Sequence, residues 1–158
     1  MDSKNFESAV MMTVLIVEPC EKPREITVGT DLESLQQAVN GNIEVTYPFD
    51  DDVGLIMNEE GKLIGMPLNR ALRDGNGEIY DIIAGPFMVA GLTEDNFCSL
   101  TAEQMQKYSD IFRQPETFIK MGRSIMAIPV TDEITDVKSV KEDIKSAHVN
   151  PKKGEPER

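Results

Sequence analysis

The sequence predicts an α+β fold: a small antiparallel or mixed sheet of about five strands with two main helices packed on one face. Three observations predict it. Short β-branched and alternating runs recur between turn residues, and two capped amphipathic segments stand among them. The order of strands and helices does not alternate strictly, which argues against a doubly wound parallel sheet. A chain of 158 residues, 40% of them hydrophobic, suffices for one domain with a sizeable core.

Each element has its own signal. Met12 to Val17 is rich in β-branched residues and ends at Glu18-Pro19, so it reads as a buried strand. Arg24 to Val28 alternates polar and apolar residues and makes the simplest hairpin partner for it. Thr30 to Asn40 reads as a helix: Thr30 and Glu33 form a capping box, Leu32, Leu35 and Val39 share a face, and Asn40-Gly41 stops it. Ile43 to Tyr47 alternates and ends at Pro48, and Gly54 to Met57 is a fourth strand after the solvated acidic turn Asp50-Asp51-Asp52. Pro67 to Leu72 is expected to be a single helical turn opened by proline. Ile79 to Ile83 and Phe87 to Val89 are strand material around Gly85-Pro86. Thr101 to Arg113 is a second capped helix with Met105, Tyr108 and Phe112 inward. The domain organisation that follows is a flexible N-terminus over 1–11, one α+β domain over 12–121, and a weakly ordered tail over 122–158, in which 125–130 offers one further strand.

Composition restricts function. The net charge is −12, and residues 1–130 carry 10 Lys+Arg against 21 Asp+Glu, so the acidity belongs to the folded body. Such a chain repels phosphate backbones and anionic membranes, and it has no Trp and few aromatics for stacking on bases or sugars. Direct nucleic-acid and membrane partners are therefore not expected. An acidic surface serves solubility, or it imitates DNA toward a DNA-binding enzyme. Cys20 and Cys98 form neither a C-x-x-C nor a metal-ligand spacing, which suits reduced thiols and a cytoplasmic location; no signal peptide or membrane-length apolar run is visible.

Chemistry is restricted as well. His148 is the single histidine and lies in the tail, which disfavours His-based nucleophile systems and His-ligated metals. Asp50 to Asp52 lack the glycine and distal glutamate of a calcium loop, and Gly75 and Gly77 lack the third glycine and following helix of a phosphate loop. The expectation is a protein without catalytic residues, metal or cofactor. The run from Asn58 to Phe87 remains, with polar groups set on turns between apolar strands. Asn58, Glu59, Asn69, Arg70, Tyr80 and Asp81 are its candidate ligand-binding residues, since amides, guanidinium and carboxylates give directional hydrogen bonds. The same residues have an architectural reading: Asn and Asp bond their own turns, and Arg70 pairs with a carboxylate.

Between about Met12 and Pro115, the stretches Ile43-Glu44-Val45-Thr46-Tyr47-Pro48, Asn58-Glu59-Glu60-Gly61-Lys62-Leu63, Pro67-Leu68-Asn69-Arg70-Ala71 and Asp81-Ile82-Ile83-Ala84-Gly85 resemble an uncharacterised domain-of-unknown-function family. Its members are small proteins of phages, plasmids and integrative elements, often encoded near antirestriction genes. The resemblance implies a role in conflict between mobile elements and hosts, and no activity for any residue. The expected function is a binding protein that acts in counter-defence by sequestering a small, nucleotide-like ligand. The alternative is an acidic module that blocks a host DNA-processing or restriction enzyme. The partners expected are thus a small-molecule ligand or a host protein, with a homo-oligomer allowed.

Overall fold

The computed structural model describes residues 10–130. Its centre is a six-stranded sheet in the order β2-β1-β7-β4-β3, in which β8 continues beside β7. The strands are β1 (Met11–Val17), β2 (Arg24–Gly29), β3 (Ile43–Thr46), β4 (Val53–Asn58), β7 (Phe87–Leu92) and β8 (Phe97–Cys98). Every pairing is antiparallel, and β1 and β2 form the expected hairpin. Two further hairpins stand apart from it: β5 (Leu68–Arg73) with β6 (Ile79–Ala84), and β9 (Glu116–Met121) with β10 (Ser124–Pro129). The helices are α1 (Leu32–Val39) and α2 (Ala102–Ile111).

Side-chain alternation along β1, β4 and β7 feeds two apolar layers, one on each side of the sheet. Val14, Ile16, Ile56 and Met88 pack with Leu35 and Val39 of α1. Leu15, Val17, Leu55, Phe87 and Val89 pack with Tyr108 and Phe112 of the α2 end, and with Leu72 and Ile83 of the β5–β6 hairpin. The two helices therefore lie on opposite faces, which corrects the expectation that both pack on one. The central strands are apolar on both sides because both sides are covered.

Other boundaries also moved. The N-cap of α1 is Asp31, which accepts from the Ser34 amide at 3.0 Å, and not Thr30. Thr101 and Gln104 do form the capping box of α2. The segment after Pro67 is strand β5 and not a helical turn. Strand β10 lies beyond residue 121, so the folded part continues past the expected boundary of the tail. The expectations for the chain before residue 10 and after residue 130, His148 included, lie outside the described residues.

Candidate functional site: an acidic groove beside an edge strand

Of the six candidate residues, Asn69 and Arg70 lie in the interior, Asn58, Glu59 and Asp81 line a groove, and Tyr80 belongs to neither set. Asn69 and Arg70, on β5, are buried at 0% and 2% exposure. Asn69 Nδ2 donates to the carbonyls of Val17 (2.9 Å) and Gly85 (2.8 Å), which ties β5 to β1 and to the β6–β7 corner. Its Oδ1 accepts from Arg70 Nη1 at 2.9 Å. Arg70 Nε and Nη2 both donate to the carbonyl of Phe112, at 3.0 and 2.9 Å, and Nη2 also reaches the Glu21 carbonyl at 2.6 Å. Phe112 is the C-cap of α2, whose last turn has no basic residue, so Arg70 supplies the cation that the negative helix end favours. Burial lowers the pKa of the guanidinium, and the fields of Glu116 and Cys20 oppose that. Both side chains spend their hydrogen bonds on the protein's own backbone and on each other.

Asn58 also works inward. Its Nδ2 donates to the carbonyls of Val39 (3.0 Å) and Asn40 (3.2 Å), and its Oδ1 accepts from the Glu60 amide at 2.7 Å. Asn40 is the left-handed C-cap of α1, so Asn58 closes the helix end and starts the turn that follows β4. That turn runs over Gly61, where a Cβ would sit 2.7 Å from the Ala84 carbonyl oxygen of β6. Only glycine lets the turn approach β6 so closely.

Between β3, the end of β4, this turn and β6 lies a groove of about 260 Å³. Asn58, Glu59 and Asp81 line it, joined by Glu44, Thr46, Lys62 and Leu63. Three of these side chains are carboxylates and one is an amine. Lys62 Nζ is paired with Asp81 Oδ1 across the groove, and among the described residues no cation pairs with Glu44 or Glu59. Tyr80 stands on β6 beside Asp81, 55% exposed, and does not line the groove. Sequence reasoning on single residues missed Glu44, Thr46 and Lys62. Alternation along β3 is the signal that finds the first two, since it sets Glu44 and Thr46 on one face and Ile43 and Val45 on the other.

A second cavity of about 230 Å³ lies where Phe49, Leu72, Ile111 and Phe112 meet Arg73 and Glu116. Glu116 accepts from the Ala71 amide (2.8 Å) and pairs with Arg73 (2.6 Å), so its carboxylate fastens β9 to β5. Nearby, Tyr108 donates its hydroxyl to Asp51 at 2.7 Å, and Gln104 Nε2 donates to the same carboxylate at 3.3 Å. The acidic turn is therefore pinned to α2. The Tyr108 bond leads the causes that hold the Asp51 carboxyl below its usual range, and desolvation, then Asp51, push the Tyr108 phenol above its own. Among the described residues, no group of three or more His, Cys, Asp or Glu is placed to hold a metal ion, and Cys20 and Cys98 are free thiols.

Comparison with known proteins gives one result. Residues 12–113 match the family model described as a domain of unknown function, DUF3846. The chain belongs to that family. No curated protein and no solved structure matches it. The matched range takes in the groove and both helices of the DUF3846 domain and stops before β9. No helix among its described residues is long and apolar enough to cross a membrane.

Proposed function

We propose that this protein is a non-catalytic binding protein whose acidic groove receives a positively charged segment of a protein partner. The observation that carries the reading is the charge of the groove: Glu44, Glu59 and Asp81 face one ammonium, Lys62, which Asp81 already pairs. A cationic side chain entering there meets two carboxylates that no described residue pairs. In the mobile-element setting that the resemblance implies, the partner is a host DNA-processing or restriction enzyme, whose DNA-contacting surface is basic. Binding there is counter-defence by occlusion.

Sequestration of a small nucleotide-like ligand, the other use of the same residues, has less support. Its phosphates would face three carboxylates against one paired lysine. The groove is also smaller than the roughly 300–1,000 Å³ of pockets that engulf drug-sized ligands.

Retention of host proteins on the immobilised chain tests the proposal, with wild type compared to a Glu44→Gln/Glu59→Gln/Asp81→Asn variant. A basic protein held by the wild type at low salt, released as ionic strength rises and not held by the variant, is the expected result. Equal retention by the variant would contradict it. A thermal shift with a nucleotide panel would favour the small-ligand reading instead.

A further inference from the structure

We infer that the groove's partner enters as an extended strand that adds to the free edge of β3, bringing a basic side chain between Glu44 and Glu59; this rests on the acidic-groove reading above. Among the described residues, strand β3 ends the sheet and pairs with β4 alone. The Glu59 amide donates to the Asn42 carbonyl at 2.8 Å, which makes Asn42 and Glu59 a hydrogen-bonded antiparallel pair. Such pairs alternate with pairs that do not bond each other. Counting along the register, Glu44 opposite Met57 and Thr46 opposite Leu55 bond toward β4, whereas Ile43 and Val45 turn their N–H and C=O groups outward. Two donors and two acceptors thus stand in line on the edge, the pattern that captures an extended segment.

Side chains on either side of that edge state what such a segment carries. On the groove side stand Glu44 and Thr46, with Leu63 86% exposed at the rim. On the α1 side the Tyr47 ring lies over Gly54, where a Cβ would come within 3.3 Å of it, and is 62% exposed. A partner strand alternating basic and apolar residues satisfies both faces: the basic positions meet carboxylates, and the apolar positions meet the tyrosine ring. A second copy of this chain fits less well, because pairing β3 with β3 brings Glu44 toward its own copy on two chains of charge −12 each. The opposite edge, β2, adjoins neither the groove nor the second cavity.

Amide hydrogen exchange of the full ¹⁵N-labelled chain, with the peptide Lys-Val-Lys-Val-Lys as probe, tests the inference. Exchange at Ile43 and Val45 is expected to slow roughly tenfold or more at saturating peptide. Glu-Val-Glu-Val-Glu should have no effect, and a Lys-Val peptide N-methylated on alternate amides should bind more weakly. If Lys-Val-Lys-Val-Lys binds in a Glu44-dependent way and the Ile43 and Val45 amides exchange as before, strand addition is overturned and the groove reading stands. If it does not bind at all, the groove reading falls first and the strand addition with it. Slow exchange at both amides in the peptide-free chain overturns the inference too, since the edge is then already covered; sedimentation would separate coverage by this chain's own segment from coverage by a second copy.

Discussion

Asn69 and Arg70 lie in a strand that neither hydrophobicity nor propensity announces, because their polar groups are satisfied by carbonyls brought from β1, the Glu21 turn and the end of α2. Removing either donor strands buried acceptors. Asn69→Ala is expected to cost about 1–3 kcal/mol and Arg70→Met about 3 kcal/mol of folding stability, read by chemical denaturation. Glu59→Gln and Tyr80→Ala, at exposed positions, should stay within about 0.5 kcal/mol. Asp51 gives a second prediction at this scale. Its folded pKa lies below the ordinary 3.8, so the stability it contributes is present above that value and is lost as pH falls through the folded pKa. A carbon-13 titration of Asp51 should show a midpoint under 3.8 in the wild type that rises toward it in Tyr108→Phe. An unchanged midpoint would remove the Tyr108 hydroxyl as the cause.

Among elements, those with strong local signals were legible in the sequence. β1 and β2 carry β-branched or alternating runs bounded by proline and glycine. Thr101 and Gln104 announce α2, and Thr101→Ala should lower stability by about 1 kcal/mol in thermal unfolding by removing that cap. β5 was not legible, since Leu68-Asn69-Arg70-Ala71-Leu72 after Pro67 has the residues of a short helical turn and becomes a strand only through long-range hydrogen bonds. β9 was not legible either: Glu116 is buried because Ala71 and Arg73 reach it from 43 to 45 residues away. The groove was half legible. Asn58 and Glu59 were found from their turn and Asp81 from the polar pair Tyr80-Asp81 in the run that follows, while Glu44 and Lys62 join them only once β3 and β6 are set on either side of the same turn.

At the scale of the whole molecule, the described residues cover the sheet on both faces and leave it open at β3, which is also where the groove and its carboxylates lie. The placement of the two helices on opposite faces follows from strands that are apolar on both sides, a feature that local pattern leaves undecided between one covered face and two. Net charge adds a long-range part to the account. Association with a basic partner should slow as salt rises from about 0.01 to 0.15 M, over which the screening length falls from roughly 30 to 8 Å. The groove itself is tested most directly by mapping ¹⁵N chemical-shift changes as a lysine-rich peptide is added to the full chain. The account predicts that they concentrate at 43–46, 58–63 and 81–84 and vanish in the Glu44→Gln/Glu59→Gln/Asp81→Asn variant. Changes centred on the second cavity around Arg73 and Ile111, or changes that persist in that variant, would contradict it.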